Sequence, residues 1–218
     1  MPIEAILFDI DGTLVDSNDF HVEAWIEAFA KHGHDPDRAA IRGQIGKGGD
    51  LLVPTLLPGA SEEQIEALSD AHGEAFKGKY LGRVRPFPHA HHLLARVHEA
   101  GLKVALASSA SQDELDHYVG LLDVEALIDA TTTIDDVENS KPAGDIVASV
   151  LDKLGIDARA ALFVGDTPYD VEAAGKCGVP TIAVLSGGFS REALAGARAI
   201  HADTAALLAA FPDWLNQV

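Results

Sequence analysis

Residues 5–17 read AILFDIDGTLVDS. Four apolar residues run directly into two acids one position apart, Asp9 and Asp11, and Gly12 and Thr13 follow. An apolar run without polar alternation is the pattern of a strand buried on both faces, as in a parallel sheet covered by helices. In open parallel sheets, ligands bind at the carboxyl ends of the strands. The stretch therefore predicts a rigid buried strand that mounts two carboxylates on the rim of a sheet.

Working outward, the first strand is expected over residues 3–8, and similar runs recur at 102–107, 161–164 and 181–185, with a short further candidate at 127–128. Helical segments separate them. Ser111 and Glu114 form a capping box. Ile146, Val147, Val150, Leu151 and Leu154 keep a helical period that Gly155 ends. Thr167 caps a helix with Pro168 at its first position and Gly178 beyond its end. The alanine-rich stretch 205–211 predicts a last helix. Strand–helix–strand order predicts an α/β fold with a doubly wound, Rossmann-like parallel-sheet core.

Residues 17–86 differ. Phe20, Ala24, Trp25, Ala28 and Phe29 form one apolar helical face. Ser61 and Gln64 form another capping box, and Ile65, Leu68, Ala75 and Phe76 continue at helical spacing. The expected organisation is a catalytic core of residues 1–16 plus 87–218, interrupted by an all-helical cap over 17–86. Pro86 to Pro88 mark the return.

The chain has 218 residues, is 47% hydrophobic and 23% charged, and carries a net charge of −18. Such a charge argues against nucleic acid and anionic membranes as partners. It also means that a phosphate site needs its own local positive groups. The single cysteine, Cys177, excludes an internal disulfide and suits a reducing compartment. No signal-peptide pattern precedes the first strand, and no apolar run reaches the ~20 residues that span a bilayer. The expectation is a soluble cytoplasmic protein that acts as a monomer on a small molecule.

On the predicted frame, Asp9 and Asp11 follow the first strand, Ser108 and Ser109 follow the second, and Asp166 follows ALFVG, with Asp170 four residues on. Lys141, in NSKPAGD, precedes the ALFV strand. Crowded carboxylates repel one another unless a cation or protons neutralise them. Aspartate oxygens suit Mg²⁺. Lys141 supplies a fixed positive charge, and Ser108 with nearby backbone N–H groups supplies donors to an oxyanion. Together these parts suit phosphoryl transfer. Each also has a plainer reading: Asp9, Asp11 and Asp166 as turn residues, Asp170 as a helix N-terminal acid, Lys141 as a surface lysine.

FDIDGTLVDS, Ser108 after an apolar strand, SKP at Lys141, and GDTPYD (165–170) together resemble the four motifs of the haloacid dehalogenase superfamily, in order and across nearly the whole chain. The helical insert after the first motif is similar to the cap of the β-phosphoglucomutase-like and phosphoglycolate-phosphatase-like branch. The resemblance implies Asp9 as the nucleophile that forms an aspartyl-phosphate. It implies Asp11 as the general acid and then base. It implies Mg²⁺ on the Asp9 carboxylate, the Asp11 carbonyl and Asp166, with Asp170 in or beside the ligand set. Ser108, Ser109 and Lys141 would hold the phosphoryl group. The name-giving dehalogenases lack the second acid, so Asp11 favours phosphate chemistry. Gly144 stands where such branches often carry proline. The implied activity is a Mg²⁺-dependent phosphatase of a small phosphate ester, a sugar phosphate or phosphoglycolate-like acid. The alternative is a phosphomutase, which a cap arginine for a second phosphate would favour; Arg42 gives no firm match.

Within the cap, His21 is twelve residues after Asp9, where that branch often carries a histidine near the acid; otherwise it is a helix-surface histidine. Lys47, in the glycine-rich stretch 46–50, either meets the substrate or lies in an ordinary helix–helix turn. No nucleotide P-loop pattern is present. His89, His91, His92 and His98 are read as surface residues, and Cys177 as a packing residue.

Overall fold

In the computed structural model, which describes residues 2–216, the strands in chain order are β1 (Ala5–Phe8), β2 (Val15–Asp16), β3 (Arg85–Pro86), β4 (Lys103–Ala107), β5 (Ala130–Thr132), β6 (Ala161–Gly165), β7 (Thr181–Val184) and β8 (Ala199–His201). Six of them form one parallel sheet in the order β5-β4-β1-β6-β7-β8. The chain leaves central β1 towards β4 and β5, then crosses back to β6 and continues to β7 and β8. The carboxyl end of β1 thus lies at the topological switch, where open α/β sheets bind ligands.

All four residues of β1 are buried. Ile6 and Phe8 pack on one face with Leu94, Val104, Leu106 and Tyr118, while Leu7 packs on the other with Ala105, Val147, Phe163 and Ala174. Burial of each large apolar side chain contributes roughly 1.5–3 kcal/mol. A strand held on both faces and both edges is a stiff base for the residue that follows it.

Between β2 and β3 the chain is helical, with α1 (Asn18–Lys31), α2 (Arg38–Arg42), α3 (Gly49–Leu56) and α4 (Glu62–Ala75). The Ser61–Gln64 capping box is formed, and Asp37 caps α2 by accepting from Ala39 and Ala40 N–H. These helices enclose their own apolar cluster, which includes Val22, Trp25, Phe29, Ile41, Leu52 and Leu68. The remaining helices, α5 (Ala90–Glu99), α6 (Gln112–Leu122), α7 (Asp145–Leu154), α8 (Pro168–Lys176) and α9 (Thr204–Ala209), accompany the large sheet. Gly155 ends α7 at φ +67°, and Thr167 caps α8 as its spacing predicts. No helix among the described residues is long and apolar enough to cross a membrane.

Three expectations shift. Residues 127–128 are not a strand: Leu127 ends a 3-10 turn, and the edge strand begins two residues after Ile128, at Ala130. β8 went unpredicted, because ARAIHA lacks the apolar run that marks an inner strand. The segment 17–86 is not wholly helical, since Arg85–Pro86 pairs antiparallel with Val15–Asp16. Two residues carry no detectable period, and this small ribbon joins the helical block to the sheet.

Candidate active site

Asp9 continues the ladder beyond β1, with its N–H donating to the Val164 carbonyl at 2.8 Å. Its carboxylate is buried, and the Lys141 ammonium lies 2.5 Å from Oδ1. Lys141 is 1% exposed and also lies 2.8 Å from Asp170 Oδ1. The surface-lysine reading therefore fails. Asp170 Oδ2 accepts from the Thr167 N–H at 2.9 Å and its hydroxyl at 2.7 Å, so Asp170 is both a capping-box acid and the lysine's second counter-ion.

Asp166 is fully buried in the loop after β6. Its Oδ1 accepts from Thr13 Oγ1 at 2.9 Å and its Oδ2 from Asn18 Nδ2 at 3.1 Å. Gly12, at φ +75°, allows this approach: a Cβ there would lie 2.3 Å from Asn18 Nδ2 and 2.4 Å from Asp166 Oδ2. Carboxylate oxygens of Asp9, Asp166 and Asp170 come within 4.8 Å of one another. Burial pushes the Asp9 carboxyl up to about 7, against the pull of Lys141. Burial, then the charges of Asp170 and Asp9, push Asp166 well above the usual carboxylate range. Lys141 stays charged, because Asp170 and Asp9 outweigh the cost of its burial.

One ammonium faces three buried carboxylates, an imbalance that a hard divalent cation relieves. Asn18 Oδ1 is buried without a partner beside Asp166, an acceptor of the kind that the waters of a hydrated cation satisfy. The residues present fit such an ion.

Asp11 faces the same cleft and gathers three donors on Oδ1: Ser17 Oγ at 2.5 Å, Tyr118 OH at 2.9 Å and His21 Nε2 at 3.1 Å. Burial alone would raise its pKa, but the charge and hydrogen bonds of His21, with Ser17 and Tyr118, hold it below the usual range. Burial opposes the proton on His21, yet Asp11 raises its pKa overall. The other ring nitrogen of His21 lies 3.2 Å from His72 Nε2. Burial, with His21 next, depresses His72 well below the usual histidine range. His21 stacks on Phe76 at 3.8 Å and His72 on Trp25 at 4.2 Å between ring centroids. His21 is therefore no surface histidine. Nothing in the spacing of His72, Tyr118 or Asn18 marks them for this site.

A cleft of about 700 Å³ opens between the helical block and the sheet rim, lined by Asp9, Asp11 and Ser108 on one side and the 45–49 loop, Trp25 and His72 on the other. Ser108 is buried at the end of β4, its Oγ accepting from Ala110 N–H at 3.0 Å. Ser109 also lines the cleft, and its Oγ accepts from Lys141 N–H at 3.4 Å. Lys47 reaches the cleft but is engaged: its Nζ donates to Gln44 Oε1 at 2.6 Å and lies 4.7 Å from the Tyr169 ring centre. The glycine loop docks directly on the core, with Gly48 N–H donating to Ser140 Oγ at 2.9 Å and Ser140 N–H to Asp50 Oδ2 at 3.0 Å. No arginine lines the cleft among the described residues: Arg38 pairs with Glu23, and Arg42 with Asp19 and the Gly187 carbonyl. His89, His91, His92 and His98 are exposed. Cys177 is half-buried, its thiol donating to the Gly144 carbonyl at 3.2 Å.

Residues 6–184 match the haloacid dehalogenase-like hydrolase family. The chain belongs to that family. A phosphoglycolate phosphatase of Rhodospirillum rubrum is 30% identical, with 98% of this chain and 91% of the relative covered. A putative pyrophosphatase PpaX of Caldanaerobacter subterraneus is 28% identical, with 84% and 82% covered. Among solved structures, a putative β-phosphoglucomutase from Bacteroides vulgatus superposes with a TM-score of 0.88 over 99% of this chain and 89% of that one; at 24% identity it speaks for the fold alone. This haloacid dehalogenase-like hydrolase has a parallel α/β core with a cleft at the carboxyl end of its central strand, and the two relatives are named as a phosphoglycolate phosphatase and a putative pyrophosphatase.

Proposed function

We propose that the enzyme hydrolyses a small phosphate monoester by way of an aspartyl-phosphate on Asp9. The observation that carries this reading is the pairing of two carboxylates in different states at one cleft. Asp9 is buried and bound to Lys141, while Asp11 is held by three donors two residues away. The roles follow from position: Asp9 joins Lys141 and the Asp166–Asp170 cluster, where a bound cation would keep it ionised for attack, and Asp11 is paired with a histidine that can share a proton with it.

Asp9 attacks phosphorus and the bond to the leaving oxygen breaks. Asp11 delivers a proton to that oxygen, then takes one from the water that cleaves the aspartyl-phosphate. Asp11 draws the proton affinity of His21 up and His21 draws that of Asp11 down, so the pair can share the one proton that this step needs. Lys141 and Ser108 hold the phosphoryl oxygens. A Mg²⁺ held by Asp9, Asp166 and the Asp11 carbonyl would supply further positive charge at the phosphoryl group. The Lys141 and Thr167 contacts support Asp170 as the residue that orients the lysine beside that set.

Residues 17–86 act as a cap on a core of 1–16 plus 87–218. The cap excludes bulk water and selects the leaving group, with His21 and Lys47 facing it. The substrate is a sugar phosphate or a phosphoglycolate-like acid. Transfer to a second substrate oxygen, as in a phosphomutase, calls for a grip on a second phosphate, and the cleft's lack of arginine favours hydrolysis. The net charge of −18 supports work as a monomer, and the single cysteine supports a reducing compartment such as the cytoplasm.

The test is phosphate release from a panel of sugar phosphates, phosphoglycolate, pyrophosphate and p-nitrophenyl phosphate, in Mg²⁺ and in EDTA. Metal-dependent release from one narrow chemical group is expected. Isomerised sugar phosphate without net release would replace the phosphatase by a mutase.

A further inference from the structure

Asn18 is 4% exposed and is the first residue of α1, the helix that opens the helical block. Its Nδ2 donates to Asp166 Oδ2 and to the Gly187 carbonyl, both at 3.1 Å. Both neighbours are acceptors, so the nitrogen must face them, and Oδ1 is left as a buried acceptor without a partner. The contact is tight on every side. A Cβ on Gly12 would lie 2.3 Å from the amide nitrogen, and one on Gly187 would lie 1.6 Å from Asp166 Oδ2. The same Gly187 carbonyl receives Arg42 Nη2 at 3.4 Å, from α2.

Asp166 is therefore gripped from two directions. Thr13, in the turn after β1, orients one oxygen at 2.9 Å; Asn18, in the first turn of α1, orients the other. We infer that Asn18 is a positioning residue that couples the divalent-cation site to the seating of the cap. A cation that fixes Asp166 strengthens the hold on the start of α1, and a seated α1 presents Asp166 to the cation. Coupling of this kind is reciprocal by thermodynamic necessity. It rests on the reading of the carboxylate cluster as a cation site.

The experiment uses Mn²⁺, counted as free ion by electron paramagnetic resonance, together with hydrogen exchange of the full-length protein. Removing a residue that orients a metal ligand typically weakens the metal about 10–100-fold, and Asn18→Ala is expected to fall in that range. In the wild type, Mn²⁺ should slow amide exchange over residues 18–22; in Asn18→Ala it should not. If Asn18→Ala fails to fold, Asn18→Ser keeps a residue suited to a helix start and carries the same expectation. Wild-type affinity in a folded variant, or cation-insensitive exchange at 18–22 in the wild type, overturns the coupling while leaving the cation site standing. A wild type that binds no Mn²⁺ overturns both.

Discussion

Asp9→Asn probes the crowding of charge directly, without substrate. Burial raises the Asp9 carboxyl from 3.8 to about 7 even with Lys141 beside it. At about 1.4 kcal/mol per pKa unit, holding that carboxylate ionised in the metal-free protein costs about 4 kcal/mol relative to its neutral form. The sign follows from proton counting. Between pH 4 and about 7 the folded state holds a proton that the unfolded state has lost, so stability falls as pH rises and levels off above about 7. Asparagine mimics the neutral acid and removes this slope. In EDTA at pH 8, Asp9→Asn should thus be the more stable protein by up to about 4 kcal/mol, a melting-temperature gain on the order of 10 °C for a chain of this size. At pH 5 the gap should narrow, and saturating Mg²⁺ at pH 8 should narrow it too, because the cation stabilises the wild-type carboxylate. Differential scanning calorimetry reads all three conditions. Equal melting temperatures at pH 8 in EDTA, or a less stable variant, would refute the argument that these carboxylates are crowded without a sufficient counter-charge.

Asp11→Asn should slow hydrolysis of alkyl phosphates about 10²–10⁴-fold, and slow p-nitrophenyl phosphate, whose leaving group needs no proton, far less; equal losses on both would count against the acid role. Lys141→Met strands Asp9 and Asp170 without their buried ammonium, so urea denaturation of the metal-free protein at pH 8 should show a loss of about 3–5 kcal/mol. Lys47→Ala should change the ranking of substrates more than the rate on p-nitrophenyl phosphate; a uniform loss would place Lys47 at the phosphate.

The core of the site was legible because its parts are local. An unalternating apolar run declares a buried strand, and the residue after it is placed by that fact alone, which is how Asp9, Ser108 and Asp166 reach one rim. Lys141 joined them on its charge and its place ahead of the ALFV strand, and the resemblance gave it a role, since no period places it in the site. Tyr118 lies on the apolar face of α6, so spacing assigns it to the core, and only the fold brings its hydroxyl to Asp11 across 107 positions. Asn18 and His72 read as ordinary helix residues, and their roles arise from contacts with Asp166 and His21 at separations of 148 and 51. The edge strands β5 and β8 are short and partly exposed, so the apolar signal that reveals inner strands is weak there.

The central claim is covalent chemistry at Asp9. Enzyme turning over a good substrate in Mg²⁺, quenched and treated with borohydride, should yield homoserine at position 9, since an acyl phosphate is reduced where a free carboxylate is not. Peptide mass spectrometry locates the change. Homoserine at position 9, absent without substrate and absent in Asp9→Asn, is the predicted result. Steady phosphate release with residue 9 unmodified, or reduction at a different acid, would contradict the account.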